Sequence, residues 1–249
     1  MDKNDPLRQV LLAAALLTRL PLPQLPQGAF DKSAKAVWAY PVIGVIVGAV
    51  GVVVGKSALG VGIPLFAAAT LVIITTMALT GAMHEDGLAD VFDGWWGGYT
   101  PERRLEIMRD SQVGTFGLLA LTTVSLLRIS AIAALLAVWW PAIIVSTVLS
   151  RAAMPVLMFG LPYARKDGLS HSVGKPRSAF AITSLALGLV ISIFLIGFSA
   201  LLAFALTIAV TLAVAVLAKR KIGGQTGDVL GALQQLSEVA ILLGCTALL

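Results

Sequence analysis

The sequence predicts an all-α fold, a polytopic membrane bundle of about seven transmembrane helices. Hydrophobic residues make up 58% of the 249 positions and charged residues only 12%, and the mean hydropathy of +0.92 lies well above that of ordinary globular chains. A helix needs about 20 apolar residues to cross a bilayer, and seven runs approach or reach that length. They are residues 37–55, 63–82, 115–138, 141–160, 179–198, 199–218 and 228–248. The remaining loops are too short for a soluble domain, so we expect a single membrane-embedded domain over residues 1–249.

Two stretches need a separate interpretation. The N-terminal apolar run, residues 7–20, is too short to cross a bilayer and ends in Pro21-Leu22-Pro23, so we predict an interfacial or re-entrant helix there. Residues 179–218 are nearly all apolar over twice the necessary length. Because Gly197 and Ser199 favour a tight turn, we predict two spans rather than one.

The basic residues predict the orientation in the membrane, because Lys and Arg gather in cytoplasmic loops. With seven spans, one set of connections contains 15 of the 18 basic residues, and the others are Lys56 on the opposite side and Arg128 and Arg151 inside spans. The fifteen are Lys3, Arg8, Arg19, Lys32, Lys35, Arg103, Arg104, Arg109, Arg165, Lys166, Lys175, Arg177, Lys219, Arg220 and Lys221. The net charge of +5 is therefore explained by topology and anionic lipid, and we expect the bilayer but no nucleic acid as a partner.

The most informative polar segment is residues 81–94, where an apolar run meets water and four carboxylates occur within nine residues. Asp86, Asp90 and Asp93 stand at i, i+4 and i+7, which places them on one stripe of a helix. No Lys or Arg occurs between Lys56 and Arg103 to relieve their repulsion. A divalent cation would relieve it, and carboxylate ligands favour Mg²⁺, Mn²⁺ or Ca²⁺ over zinc. The alternative is a solvated acidic loop.

A short cytoplasmic helix is predicted after this segment, because Thr100-Pro101-Glu102 combines a helix cap, a first-turn proline and a first-turn acid. It carries Arg103, Arg104 and Arg109, followed by Asp110. Arginines near a carboxylate-held metal are suited to a diphosphate, because guanidinium groups neutralise the oxygens that the metal leaves. Contact with lipid headgroups remains an alternative for Arg103 and Arg104.

Two further loops have a similar composition. Arg165 and Lys166 lie in a basic loop that could hold an anion. Gly224 and Thr226 precede Asp228 at the start of the last span, where glycines let backbone N–H groups approach a phosphate. Taken alone, Asp228 would be read as a helix cap.

Three charges are expected inside the membrane, namely Arg128, Arg151 and Glu238. Intramembrane charges are costly and pair with one another. We therefore predict that Glu238 pairs with Arg128 or Arg151 in a structural role.

Five motifs, in order along the chain, resemble the cobalamin synthase family, the adenosylcobinamide-GDP ribazoletransferases. They are Thr18-Arg19-Leu20-Pro21-Leu22-Pro23; His84-Glu85-Asp86-Gly87-Leu88-Ala89-Asp90 with Asp93-Gly94; Arg103-Arg104 with Met108-Arg109-Asp110-Ser111 and Gly114-Thr115-Phe116-Gly117; Ala164-Arg165-Lys166-Asp167-Gly168-Leu169; and Gly223-Gly224-Gln225-Thr226-Gly227-Asp228. The resemblance extends from about residue 7 to residue 240. Because five separate motifs agree, it is highly specific.

The resemblance implies a Mg²⁺-dependent transferase of the bacterial inner membrane, with its active site facing the cytoplasm. It would join adenosylcobinamide-GDP to α-ribazole or α-ribazole 5′-phosphate, giving adenosylcobalamin or its 5′-phosphate and GMP. Whether the chain forms a homo-oligomer stays open, as does the choice between the two acceptors.

The predicted roles follow from the carboxylate spacing together with this resemblance. Asp86, Asp90 and Asp93 hold one or two Mg²⁺ ions, with Asp228 closing the site. Glu85 orients the nucleophile, and His84 is either the general base or a helix-lining residue. The residues expected to hold the diphosphate, the GMP and the rest of the substrate are Arg103, Arg104, Arg109, Asp110, Arg165, Lys166, Gly224 and Thr226.

Two other functions fit parts of the sequence. The acid spacing is similar to that of the CDP-alcohol phosphotransferases, which make phospholipids, although the full Asp-x-x-Asp-Gly-x-x-Ala-Arg pattern is absent. A cation-coupled secondary transporter would explain buried charges. It would not explain acids concentrated in one cytoplasmic loop.

Overall fold

The computed structural model describes residues 5–23 and 33–249, which contain eleven α-helices. Lys3 and Lys32, two of the basic residues used to predict orientation, lie outside this part of the chain. Two short 3₁₀ helices, Ser33–Ala39 and Gly197–Ser199, adjoin longer helices. The α-helices are α1 (Pro6–Leu17), α2 (Tyr40–Gly60), α3 (Leu65–Thr80), α4 (Met83–Gly97), α5 (Pro101–Ile107), α6 (Thr115–Val138), α7 (Pro141–Gly160), α8 (Leu169–Val173), α9 (Ser178–Ile196), α10 (Ala200–Ile222) and α11 (Gly227–Thr246).

The chain is a multi-pass membrane protein, and the predicted all-α class is confirmed. Among the described residues, five helical stretches are long and apolar enough to cross a membrane, or six if the bent pair α3 and α4 counts as one span. One of the five is the 45-residue stretch Ser178–Ile222. The seven predicted apolar runs coincide with α2, α3, α6, α7, α9, α10 and α11.

The stretch Ser178–Ile222 has two arms. A straight helix of that length would measure about 68 Å, more than twice the hydrocarbon thickness of about 30 Å. The chain turns at Gly197, whose φ of +60° lies in the left-handed region that favours glycine. The two arms, α9 and α10, have different neighbours. Ser184 of α9 donates a hydrogen bond to Ala152 of α7, whereas Leu206 of α10 lies against Gly244 of α11. A break between two helices at the predicted position, Gly197–Ser199, is confirmed.

Helix α7 lies at the centre of the bundle and packs against α2, α9 and α11. Its contact with α2 depends on small residues, since a Cβ on Gly44 would lie 2.5 Å from the carbonyl oxygen of Thr147. The Thr147 hydroxyl donates to the Gly44 carbonyl at 2.8 Å. Close backbone approach and hydrogen bonding of this kind stabilise helix pairs in membranes, where lipid offers no hydrophobic driving force.

A sharp bend separates α3 from α4 and sets the direction of the acidic helix. The two helices are bent by 91° at Gly81 and Ala82, with φ values of +67° and +57°; for alanine this conformation costs about 1–2 kcal/mol. The backbone N–H of Arg19 donates to Leu79 at 2.7 Å, and the Arg19 side chain occupies the space beside Gly81. The N-terminal segment thus braces the bend. Helix α4 leaves the crossing direction of α3, and we treat it as lying outside the membrane-spanning segments.

The loops that carry the basic residues meet at one end of the bundle. Arg104 Nη1 donates to the Lys221 carbonyl at 2.9 Å, and Tyr163 and Gln225 form an isolated parallel bridge. The predicted loop helix is present as α5, and the Thr100 hydroxyl accepts from the Arg103 N–H at 3.2 Å as its cap. One end of the molecule therefore collects the polar chemistry.

Candidate active site

At the end of the bundle where the basic loops meet, two helices bring three carboxylates together. Asp86 and Asp90 lie on α4, exposed and half-buried respectively, and Asp228 lies in the first turn of α11. The helices touch through glycines, because a Cβ on Gly87 would lie 2.8 Å from the carbonyl oxygen of Asp228 and one on Gly231 would lie 3.2 Å from His84. Glycine is needed here for close approach, and this approach places Asp228 beside the acidic helix.

The electrostatics of Asp90 show how strongly these charges are crowded. Burial, followed by the charges of Asp228 and Asp86, raises the pKa of Asp90 to about 7. Arg165 opposes the rise, and Asp93 adds to it. The ionised form of Asp90 is therefore disfavoured first by burial and then by its acidic neighbours.

This donor set suits a hard divalent cation in its chemistry, because every candidate ligand is a carboxylate oxygen. As the side chains stand, no group of three His, Cys, Asp or Glu residues in ranges 5–23 and 33–249 is close enough to enclose a metal ion. The three carboxylates would therefore have to close around an ion from their present positions.

Asp93 has a different environment from the other two residues of the stripe. It is buried, and its two carboxylate oxygens accept hydrogen bonds of 2.8 Å from the backbone N–H groups of Gly114 and Gly117. These are the first, otherwise unpaired, N–H groups of α6. Asp93 therefore caps α6 from another helix, and the prediction that it binds metal stays untested.

A chain of ion pairs leads from the carboxylates across the neighbouring loop. Arg165 Nη2 lies 3.1 Å from Asp228 Oδ2, and Arg165 Nε lies 3.6 Å from Asp167 Oδ1. Asp167 also accepts two hydrogen bonds, 2.7 and 2.8 Å, from Arg109 Nη2. Arg165 Nη1 is buried and has no hydrogen-bond partner among the described residues. The structure thus brings Arg165 and Arg109 to the side of the site that Asp228 occupies.

The loop before α11 is held by backbone contacts. The Gln225 N–H donates to Pro162 at 2.8 Å, and the Ala164 N–H donates to Gln225 at 3.0 Å. Gly224 permits this contact, because any Cβ there would collide with the Pro162 carbonyl oxygen. Thr226 caps α11 by accepting from the Val229 N–H at 3.3 Å, and it donates to Asp228 at 3.1 Å. Gly224 and Thr226 therefore position Asp228.

The remaining arginines of α5 and its following loop have partners of their own. Exposed Arg103 pairs with Glu106 at 2.6 Å. Arg104 donates to the carbonyls of Gly98 and Lys221, both at 2.9 Å. Asp110 Oδ1 accepts from the Gln112 N–H at 3.1 Å in a local turn. None of these contacts involves the carboxylate cluster.

Glu85 and His84 point away from Asp86. Glu85 is buried and accepts from Arg128 of α6 at 3.0 Å and from Gln235 of α11 at 3.0 Å. His84 is only 2% exposed, and its Nε2 has no hydrogen-bond partner among the described residues. Burial, with the charges of Arg151 and Arg128, lowers the pKa of His84 well below its usual value. Both residues therefore lie beneath the carboxylate cluster, within the bundle.

A buried network extends from Glu85 into the membrane-spanning helices. Arg128 Nη2 lies 2.7 Å from Glu238 Oε1, and Arg151 Nη1 lies 3.8 Å from Glu238 Oε2, which confirms the predicted pairing of Glu238. Gln234 and Gln235 complete the network by bonding to Glu238 and Glu85. These glutamines, which sequence reasoning missed, stand one turn from Glu238 in an otherwise apolar span, and that spacing was the available signal.

Comparison with known proteins gives consistent matches over nearly the whole chain. Residues 9–246 match the family described as cobalamin-5-phosphate synthase. The chain is 44% identical to an adenosylcobinamide-GDP ribazoletransferase of Bradyrhizobium diazoefficiens over 239 residues, covering 95% of this chain and 92% of that protein. It is 39% identical to the protein of that name from Mesorhizobium japonicum, with the same coverage of 95% and 92%. The corresponding protein of Azorhizobium caulinodans is 42% identical over 219 residues, covering 84% of this chain and 83% of that protein. No solved structure matches the chain.

Proposed function

The chain belongs to the cobalamin-5-phosphate synthase family, and from that premise we propose that it is an adenosylcobinamide-GDP ribazoletransferase of a bacterial inner membrane. A ribose hydroxyl of α-ribazole, or of its 5′-phosphate, attacks the phosphorus that is linked to cobinamide. A new P–O bond forms, the phosphoanhydride bond breaks, and GMP leaves with the bridging oxygen. The hydroxyl proton passes to a carboxylate oxygen or to water. Because a product that keeps a 5′-phosphate cannot have been made by attack through that position, the nucleophile is a different ribose hydroxyl.

The observation that carries this proposal is the meeting of Asp86, Asp90 and Asp228 beside Arg165. We propose these three carboxylates as the residues that hold Mg²⁺. A Mg²⁺ ion held by these carboxylates would supply positive charge that neutralises the diphosphate and the departing GMP phosphate. The raised pKa of Asp90 supports the assignment, because a nearby cation favours the ionised form of such a group.

The arginines supply the positive charge that the metal leaves uncovered. Arg165 offers its unpartnered Nη1 to a phosphate oxygen, while Asp228 holds the opposite edge of the guanidinium. Arg109 reaches the same region by exchanging its exposed pair with Asp167 for a pair with the substrate. Exposed Lys166 adds a point charge at the rim. Neutralising and orienting the diphosphate in this way provides most of the catalysis of phosphoryl transfer.

Other predicted site residues act by positioning. Asp93 fixes α4 against α6, and Arg104 fixes α5 against the end of α10. Glu85 ties α4 to α6 and α11 from below. We propose these as supports of the carboxylate cluster, not as groups that touch the substrate.

The site faces the cytoplasm in this proposal. Arg103, Arg104, Arg109, Arg165 and Lys221 all lie at the end of the bundle where the carboxylates lie, and an excess of basic residues favours the cytoplasmic side. The nucleotide-linked substrate would be supplied from that side.

Product formation by purified protein in liposomes tests the proposal. With adenosylcobinamide-GDP, α-ribazole and Mg²⁺, the protein should release GMP and form a cobalamin product, and a chelator or Asp90→Asn should abolish both. In a parallel reaction, α-ribazole 5′-phosphate replaces α-ribazole as the acceptor. Absence of GMP with either acceptor from folded protein would overturn the proposal, and release of CMP from a CDP-alcohol would replace it with the phospholipid reaction.

A further inference from the structure

Two adjoining cavities lie beneath the loop that carries α8, beside α1 and the start of α11. The smaller has a volume of about 50 Å³ and the larger about 330 Å³. They share the lining residues Leu16, Met83, Leu169 and Val173, so the two cavities lie against the same side chains. The larger alone lies within the range of about 300–1,000 Å³ that is typical of small-ligand pockets.

The smaller cavity is mostly apolar, although Tyr40 and Ser170 also line it. Leu17, Met154, Met158 and Leu230 line it, and methionine side chains adapt readily to a flat ligand. His84 is part of the same wall, and its buried Nε2 has no hydrogen-bond partner among the described residues. A buried polar atom without a partner is unfavourable, and a ligand in the cavity could supply the missing partner.

The larger cavity is more polar and contains a cation. Thr18, Ser33, Thr80 and Ser172 contribute hydroxyl groups, and Arg19 contributes a guanidinium. These groups suit a sugar and an anionic oxygen, because hydroxyls bond to hydroxyls and guanidinium pairs with phosphate.

The pair of cavities lies next to the carboxylate cluster. Gly227, which lines the smaller cavity, directly precedes Asp228. His84 is two residues before Asp86 on α4. Ser170, another lining residue, bonds to the side chain of Gln225 at 2.7 Å in the loop that positions Asp228.

We propose that these cavities bind the acceptor nucleotide, an assignment that rests on the proposed function. The flat apolar benzimidazole enters the smaller cavity, which the methionines widen, and His84 Nε2–H donates to the unsubstituted ring nitrogen. The ribose lies between the cavities, with the attacking hydroxyl toward Asp228, and a 5′-phosphate lies on Arg19. The unpartnered buried nitrogen of His84 thus meets the one hydrogen-bonding atom that the ribazole base presents.

The other parts of the substrates do not fit this place. Guanine carries donors and acceptors along several edges, and burying them among leucine and methionine side chains would leave them unpaired at high cost. A corrinoid ring is far larger than either cavity. The cavities therefore exclude guanine because of its polarity and the corrinoid because of its size.

Three variants in lipid nanodiscs test the base subsite. His84→Leu removes the hydrogen-bond donor, and Leu169→Trp narrows the passage between the cavities at a half-exposed position. Thr123→Trp introduces the same side chain in a separate groove lined by Phe92 and Phe116. The probe is 5,6-dimethylbenzimidazole alone, titrated by calorimetry without turnover. We expect His84→Leu to weaken its binding by roughly tenfold, the loss expected for one buried hydrogen bond, and Leu169→Trp to weaken it further. Thr123→Trp should bind as the unaltered protein does.

Steady-state kinetics complete the test. The KM for the acceptor should rise in His84→Leu and Leu169→Trp while the KM for adenosylcobinamide-GDP stays constant. Arg19→Gln should lower kcat/KM for α-ribazole 5′-phosphate relative to α-ribazole by roughly tenfold or more, and Arg19→Lys should recover part of that ratio. Each ratio is internal to one variant, so a merely misfolded fraction does not change it.

The outcomes separate this inference from the proposed function. If the unaltered protein makes the product but His84→Leu and Leu169→Trp bind the base normally and keep the acceptor KM, the cavity assignment is wrong and the function stands. If the KM for adenosylcobinamide-GDP and the KM for α-ribazole rise equally in His84→Leu and in Leu169→Trp, the cavity assignment is likewise wrong. If the unaltered protein makes no product yet binds the base through His84, the proposed function fails while the binding site stands.

Discussion

Arg128 Nη2 and Glu238 Oε1 lie 2.7 Å apart with both side chains buried in the bundle. Arg128 also reaches Glu85, and Arg151 approaches the other oxygen of Glu238 at 3.8 Å. Two positive and two negative groups therefore balance one another where water is excluded. This network ties α4, which carries the carboxylates, to α6, α7 and α11.

We expect Glu238→Gln to lower the stability of the folded protein, because it leaves the charges of Arg128 and Arg151 with only Glu85 in compensation. Removing one partner of a buried ion pair costs about 3–5 kcal/mol. Thermal unfolding in detergent measures the effect. The double variant Arg128→Gln with Glu238→Gln restores neutrality and should be more stable than Glu238→Gln alone; equal or lower stability of the double variant would contradict the charge-balance argument. Because Glu238 has this structural role, a loss of activity in Glu238→Gln would follow from lower stability. Such a loss would therefore not support the alternative that the protein is a cation-coupled transporter.

Gly87→Ala should reduce activity strongly while the protein still folds. The added Cβ would meet the Asp228 backbone at 2.8 to 2.9 Å, so α4 and α11 must separate and the carboxylates move apart. A displacement of about 1 Å at a reacting centre can cost about 100-fold in rate. The measurement is kcat/KM for GMP release, alongside the amount of folded protein recovered.

Gly97→Ala is the matched control on the same helix. Its nearest neighbour would be Ile107 Cδ1 at 3.6 Å, an ordinary contact, so activity should remain close to that of the unaltered protein. If Gly87→Ala were as active as Gly97→Ala, the contact between α4 and Asp228 would not be needed for the reaction.

The sequence predicted much of this arrangement, for identifiable reasons. The helices followed from apolar runs whose length the bilayer dictates, and the pairing of Glu238 followed from the high cost of an intramembrane charge. Spacing along one helix also placed Asp86 and Asp90 together. These are local properties of the chain.

What the sequence could not provide were the contacts between distant segments. The spacing places Asp93 on the same stripe as Asp86, but only the packing of α6 shows that its oxygens accept from Gly114 and Gly117. In the same way, Glu85 stood next to Asp86 in the motif, yet helical rotation of 100° turns it toward Arg128. Whether such a polar residue faces a substrate or another helix is decided by tertiary packing.

Asp93→Asn separates a capping role from a metal-binding role. The amide would present an N–H₂ group to one of two backbone N–H donors, leaving that buried donor unpaired at a cost of about 1–3 kcal/mol. We expect a lower unfolding temperature but, in the folded fraction, Mg²⁺ binding similar to that of the unaltered protein. Calorimetric titration with Mg²⁺ provides the second measurement, and a large loss of affinity without loss of stability would restore Asp93 as a ligand.

Asp90→Asn should abolish activity without lowering stability, the reverse of the pattern expected for Asp93→Asn. The pKa of Asp90 is raised to about 7, first by burial and then by Asp228 and Asp86, so its ionised form is unfavourable in the folded protein. For a raised carboxyl pKa, the associated stability is complete below the unfolded value and is lost as the pH rises through the folded one. Without Mg²⁺, the unaltered protein should therefore lose stability between about pH 4 and pH 7 relative to Asp90→Asn, and this difference should persist at pH 8.

Adding Mg²⁺ at pH 8 should stabilise the unaltered protein and have little effect on the variant, because the cation replaces the missing positive charge only where the carboxylate is present. Unfolding temperatures at pH 5 and 8, with and without Mg²⁺, give the comparison, and equal stabilisation of both proteins by Mg²⁺ would place the ion elsewhere.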